Sequence, residues 1–172
     1  MRILLTNDDG IEAAGINILG RHLEEAGHQI TYCAPKTQQS AASHSITLHA
    51  PIRLYKSSEN RFSVSGKPTD SVLIAYHIFG ADAFDLVISG INQGQNMAED
   101  ILYSGTVAAA IEACFLGYKS IAISVTSFTD VHYDTAAAYL CRLLKQDLLM
   151  RSKKKKCLIS MCLMWILKRS RA

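Results

Sequence analysis

Four times along the chain a short aliphatic run gives way, past a turn former, to a stretch of helical period. The runs are residues 2–7 (RILLTN), 29–34 (QITYCA), 85–89 (DLVIS) and 120–125 (SIAISV). Helices are expected over Ala14 to Ala26, from Thr69 or Asp70 to Phe79, Ser104 to Leu116, and Tyr133 to about Met150. In the first, Ile16, Leu19, Leu23 and Ala26 share one face, and Gly27 stops it. Unbroken apolar strands belong in a sheet covered on both faces, which is what parallel βα units build. The pattern therefore predicts an α/β fold around a mostly parallel sheet. Residues 46–56 and 61–64 alternate like a hairpin, with Pro51 suggesting an edge position.

The length of 172 residues suits one domain, and 49% apolar against 19% charged residues excludes a disordered chain. No stretch is long and apolar enough for a membrane span, and the start, MRILLTNDDG, meets two aspartates before a signal-peptide core can form, so a cytoplasmic protein is expected. The formal charge of +3 hides an asymmetry. Residues 151–172 hold 8 of the 18 Lys+Arg and none of the 15 Asp+Glu, which leaves residues 1–150 at −5. An acidic body argues against a broad nucleic-acid surface. Five cysteines without CxxC spacing read as reduced thiols.

Candidate chemistry gathers at the carboxyl ends of the expected strands, where open α/β sheets bind ligands. Asp8 and Asp9, in Asn7-Asp8-Asp9-Gly10, end the first strand, although Asn, Asp and Gly also favour plain turns. Asn92 follows the 85–89 run, and Ser40 lies in the small-residue loop after the second strand. Two carboxylates, an amide oxygen and a hydroxyl form an all-oxygen set that suits Mg²⁺, Mn²⁺ or Ca²⁺ better than Zn²⁺. Ser104-Gly105-Thr106 opens a helix, where free N–H groups can hold an anion or where Ser104 is simply a cap. A cation and an anion site on one rim imply a phosphate ester. His44 is the nearest histidine and is either a proton donor to that ester or a loop residue bonded to backbone. Lys67 could meet a substrate anion but is read first as a solvated lysine.

MRILLTNDDG, the Ser40 to Thr47 segment, Gly66-Lys67-Pro68-Thr69-Asp70, Val87 to Asn96 and Glu99 to Ala110 together resemble the SurE survival-protein family of 5′/3′-nucleotidases. The resemblance implies a Rossmann-like three-layer fold and a metal-dependent phosphatase acting on nucleoside monophosphates. It puts one divalent ion, Mg²⁺ or Mn²⁺, on Asp8, Asp9, Ser40 and Asn92, and the phosphate on Asn96, Ser104, Gly105 and Thr106. Catalysis would rest on Asp8, Asp9 and His44, with Asp9 and His44 as candidate general bases. Gln39, Glu12, Ala14 and Lys67 depart from residues frequent in the family.

The resemblance covers residues 1–126, and the expected family core is 1–150. Family chains continue further, into an arm exchanged between subunits of dimers and tetramers. Here the Lys153–Lys156 run precedes an unbroken apolar stretch, Cys157 to Leu167, and residues 151–172 read as a basic and apolar tail, out of frame from Cys157 or else a docked helix or membrane-surface segment. Two other functions stay open: a truncated nucleotide-binding module that cannot turn its ligand over, and the amino-terminal unit of a nucleotide-sugar glycosyltransferase, which Gly15 to Pro35 also resembles.

Overall fold

The computed structural model describes residues 1–129, 131–146 and 157–162. The chain runs β1 (Arg2–Thr6), α1 (Ala14–Glu25), β2 (Gln29–Pro35), β3 (Leu54–Ser58), β4 (Arg61–Val64), α2 (Pro68–Phe79), β5 (Leu86–Asn92), α3 (Asp100–Tyr103), α4 (Gly105–Phe115), β6 (Ser120–Val125), α5 (Tyr133–Lys145) and β7 (Cys157–Cys162). One seven-stranded sheet has the order β3-β4-β2-β1-β5-β6-β7. Every pairing is parallel except β3 with β4.

Strand parity divides the core. Ile3 and Leu5 of β1 pack with Ile16, Leu19 and Leu23 of α1 and Ala137 and Leu140 of α5. Leu4, between them, packs on the other face with Val72 and Ala75 of α2 and Ala109 and Ala113 of α4. All three β1 side chains are completely buried, so the aliphatic run needs a hydrophobic side chain at each position. The result is three layers, with α1 and α5 on one face and α2 and α4 on the other.

Because β2 and β4 build out from one side of β1 and β5, β6 and β7 from the other, the strand order reverses between β1 and β5. The loops after these two strands therefore diverge and leave a crevice at their carboxyl ends.

Several elements differ from the sequence reading. β3 begins only at Leu54, and residues 46–53 are irregular, because the Thr47 N–H bonds Asp70 of α2 and, among the described residues, no strand pairs with this segment. β5 continues past Ser89 to Asn92, with a shift of register against β6 between the two. α2 starts at Pro68, and Asp70 sits at its third position, accepting from the Lys67 N–H at 2.8 Å instead of capping from outside. α5 ends at Lys145. The segment from Cys157, read as part of an out-of-frame tail or else as a docked helix or membrane-surface segment, pairs with β6 from Ser120↔Cys157 to Val125↔Cys162. That strand covers the outer edge of β6. The rest of the expected tail, 151–156 and 163–172, lies outside the described residues.

Candidate active site in the crevice between β1 and β5

The turn after β1 is held by its own first residue. The Asn7 amide nitrogen donates to the Gly10 carbonyl at 2.8 Å, and the Gly10 N–H donates back to the Asn7 Oδ1 at 3.2 Å. Asn7 and Gly10 thus do the turning, which leaves the two carboxylates between them available for chemistry. The loop after β2 is tied to the same turn, with the Gln39 N–H donating to the Asp8 carbonyl at 2.7 Å.

Asp8 is 7% exposed. Its Oδ1 accepts from the Thr106 hydroxyl at 2.5 Å. Burial raises its pKa, an effect the Thr106 hydrogen bond partly offsets. Asp9 is pushed up to about 6, first by burial and then by the Asp8 charge, against a smaller lowering by the Gln93 backbone. Among the described residues no ion pair reaches either carboxylate.

Two neighbouring, partly desolvated carboxylates without a cationic partner are a costly arrangement, and a divalent ion compensates it directly. The other donors suit that role. The Asn92 amide nitrogen is committed to the Gln93 and Gly94 carbonyls at 3.2 and 3.0 Å, leaving its oxygen as the uncommitted atom. The exposed Ser40 hydroxyl accepts from the Gln38 amide at 3.0 Å and keeps a lone pair. Among the described residues no cluster of three or more His, Cys, Asp or Glu side chains could hold a metal. A cation here would use the mixed carboxylate, amide and hydroxyl set, which fits Mg²⁺ or Mn²⁺.

These residues line one open cleft of ≈ 550 Å³, together with Asn96 and Ser104. Asn96 is fixed through its amide nitrogen, which donates to the Ser124 hydroxyl at 2.7 Å. Ser104 caps α4 by accepting from the Val107 N–H at 3.1 Å. It satisfies one free N–H, and the helix start still faces the carboxylates. Gly105 and Thr106 stand behind Asp8, outside the lining. A Cβ on Gly105 would lie 2.9 Å from the Asp8 Cβ and 3.0 Å from the Pro68 Cγ, so the glycine is required by close approach.

His44 is not brought into the cleft. It reaches α4, with its Nε2 2.8 Å from the Glu112 carboxylate and its ring stacked on Phe115 at 5.8 Å. The loop carrying it is tied to α2, where the Lys67 ammonium donates to the Ser45 hydroxyl at 2.7 Å and Asp70 accepts from the Thr47 N–H at 3.0 Å. Lys67, read as solvated, is therefore a structural tie. The cleft gains residues that the sequence reading passed over. Gln93, Gln95, Asp100 and Tyr103 lie inside or beside the motifs quoted for the resemblance, and Phe128 follows β6. Its place after the carboxyl end of a strand was the available signal.

Residues 3–162 match the family model described as "Survival protein SurE". The chain belongs to the SurE family. A "5'-nucleotidase SurE" of Erythrobacter litoralis is 48% identical over 143 residues, 81% of this chain and 57% of that protein. One of Methylobacterium nodulans is 45% identical over 153 residues, 86% of this chain and 60% of that protein. The crystal structure of the SurE protein from Aquifex aeolicus superposes with a TM-score of 0.87 at 33% identity, covering 95% of this chain and 66% of that one. The chain thus spans about three fifths of the length of these curated relatives. The SurE match accounts for Gly15 to Pro35 as the α1–β2 unit of this fold, and nothing in the comparisons favours a glycosyltransferase. Among the described residues no helix is long and apolar enough to cross a membrane.

Proposed function

We propose that this chain is a divalent-cation-dependent nucleotidase that hydrolyses nucleoside monophosphates to nucleoside and phosphate in the cytoplasm. The observation that carries the reading is the Asp8–Asp9 couple, met by no ion pair among the described residues, in one cleft with Ser40, Asn92, Asn96 and Ser104. The names of the relatives support it. Asp8, Asp9, Ser40 and Asn92 would hold one Mg²⁺ or Mn²⁺. When bound, the ion supplies a Lewis acid toward the phosphoryl oxygens and lowers the pKa of water. The Asn96 and Ser104 side chains, which line the cleft at the α4 start, would meet the charge that grows on those oxygens. Asp9 would then take the proton from attacking water, a role the engagement of His44 by Glu112 outside the cleft supports.

Phosphate release from adenosine monophosphate with Mn²⁺ or Mg²⁺, abolished by chelation, is the expected result. Binding of the nucleotide without phosphate release would instead identify a binding module. Thr106→Val tests the support of the site. Its hydroxyl holds Asp8 and is not free for phosphate, so the variant should weaken Mn²⁺ binding by about 10–100-fold, read by calorimetry. An unchanged affinity would separate Thr106 from the metal site.

A further inference from the structure

Apart from the Ala41 methyl, the cleft offers two apolar surfaces, the rings of Tyr103 and Phe128; its other lining side chains are polar. The two rings are 62% and 64% exposed. They differ in how they are held. Tyr103 ends the four-residue α3. Phe128 is fixed from two sides by the loop after β5. Its carbonyl accepts from the Gln93 amide at 2.8 Å, and Gln93 in turn accepts from the Tyr133 hydroxyl at 3.4 Å.

The ring itself rests on Gly94. A Cβ there would lie 2.2 Å from the Phe128 Cε1 and 2.5 Å from its Cζ, and Gly94 has a φ of +97° that side chains rarely adopt. The missing side chain thus makes the seat for one edge of the ring. Gly94 is also two residues from Asn92, whose amide nitrogen donates to the Gly94 carbonyl at 3.0 Å. One short segment therefore positions a proposed metal donor and an aromatic surface. Leaving a phenylalanine so exposed costs apolar burial, and the geometry keeps it in the cleft.

We propose that Phe128 is a specificity-determining residue whose exposed face stacks on the nucleobase of the substrate. The inference rests on the nucleotidase reading, since it names the part of a nucleoside monophosphate that lies beyond the phosphate. Every base has a π-face, so the contact discriminates nucleotides from base-free phosphate esters more than one base from another. A cleft of ≈ 550 Å³ lies within the range of small-molecule sites, about 300–1,000 Å³, which leaves room for the base beside the phosphate.

The test compares wild type, Phe128→Leu, Phe128→Ala and Phe128→Trp. Leu keeps apolar bulk but has no planar face, and Trp restores one. With Mn²⁺ present, Leu and Ala should raise the KM for adenosine monophosphate about 10-fold and leave kcat within about twofold. Trp should keep the wild-type KM. Kinetics on glycerol 2-phosphate, which has no base, should be the same in all four proteins. Calorimetric titration with adenosine, which has no phosphate to release, should show the same 10-fold loss of affinity in the Leu and Ala variants. Equal adenosine affinity in wild type and Phe128→Ala overturns the proposal, as does a loss seen in Tyr103→Ala and not in Phe128→Ala. Failure of wild type to release phosphate from either ester would instead remove the nucleotidase reading, and the adenosine titration would still decide the stacking.

Discussion

Asp9→Asn should leave the metal-free protein more stable than wild type near neutral pH and should lower phosphate release by on the order of 10²–10³-fold. Both effects come from the same charge. Burial and the neighbouring Asp8 raise the Asp9 pKa to about 6 in the metal-free protein. A carboxyl whose folded pKa is raised contributes stability that is complete below its unfolded value, near 4, and is lost as pH climbs through 6. Metal-free wild type should therefore lose stability between about pH 4 and pH 6, and the variant should lack that contribution. The shift corresponds to at most about 3 kcal/mol. Asp9 is partly open to solvent, so screening reduces the figure to about 1–2 kcal/mol, or roughly 3–6 °C in melting temperature.

Mn²⁺ should reverse the order. At about 100 times its dissociation constant a ligand stabilises the folded state by about 2.7 kcal/mol, and the variant, with half its carboxylate charge gone, should show little of this. Scanning calorimetry of both proteins with and without Mn²⁺ checks each part. A wild type that stays the more stable protein without metal near neutral pH would show that Asp9 is not held against its charge. An equal Mn²⁺ response in both would remove it from the metal site.

Gly105→Ala should lower activity by about 10²-fold while the protein remains folded. The new methyl would stand 2.9 Å from the Asp8 Cβ, 3.0 Å from the Pro68 Cγ and 3.1 Å from the Asp8 Oδ2, and all three approaches are tighter than ordinary contact. Relief requires Asp8 or the α4 start to move by tenths of an ångström. Two stability effects oppose each other. Replacing a helical glycine with alanine favours the helix by about 1 kcal/mol, and overpacking a tight interior costs about 1–3 kcal/mol. The net loss should be about 2 kcal/mol or less, with activity suffering far more because the displaced group is Asp8. Activity at the wild-type level would show that the site tolerates the shift.

Sequence alone determined the layers and the rim. Each strand of the core is a run of mostly buried side chains, and each helix carries its period and its stop signal, so β1, α1, β2, α2, β5, α4, β6 and α5 are legible from local pattern. The same pattern places Asp8, Asp9, Asn92 and the α4 start at strand ends and a helix start, because the end of an element is a local property. Which of these groups meet is decided across long separations. Thr106 finds Asp8 from 98 residues away and becomes its hydrogen-bond partner, a role no spacing encodes. His44 turns to Glu112, 68 residues on, because its loop is tied to α2 through Ser45 and Thr47. Gly94 marks a turn in the sequence, and only the fold shows the Phe128 ring seated on it. The strand from Cys157 carries no polar alternation to announce it; the open edge of β6, a row of unpaired backbone groups, is what gives such a segment its pairing.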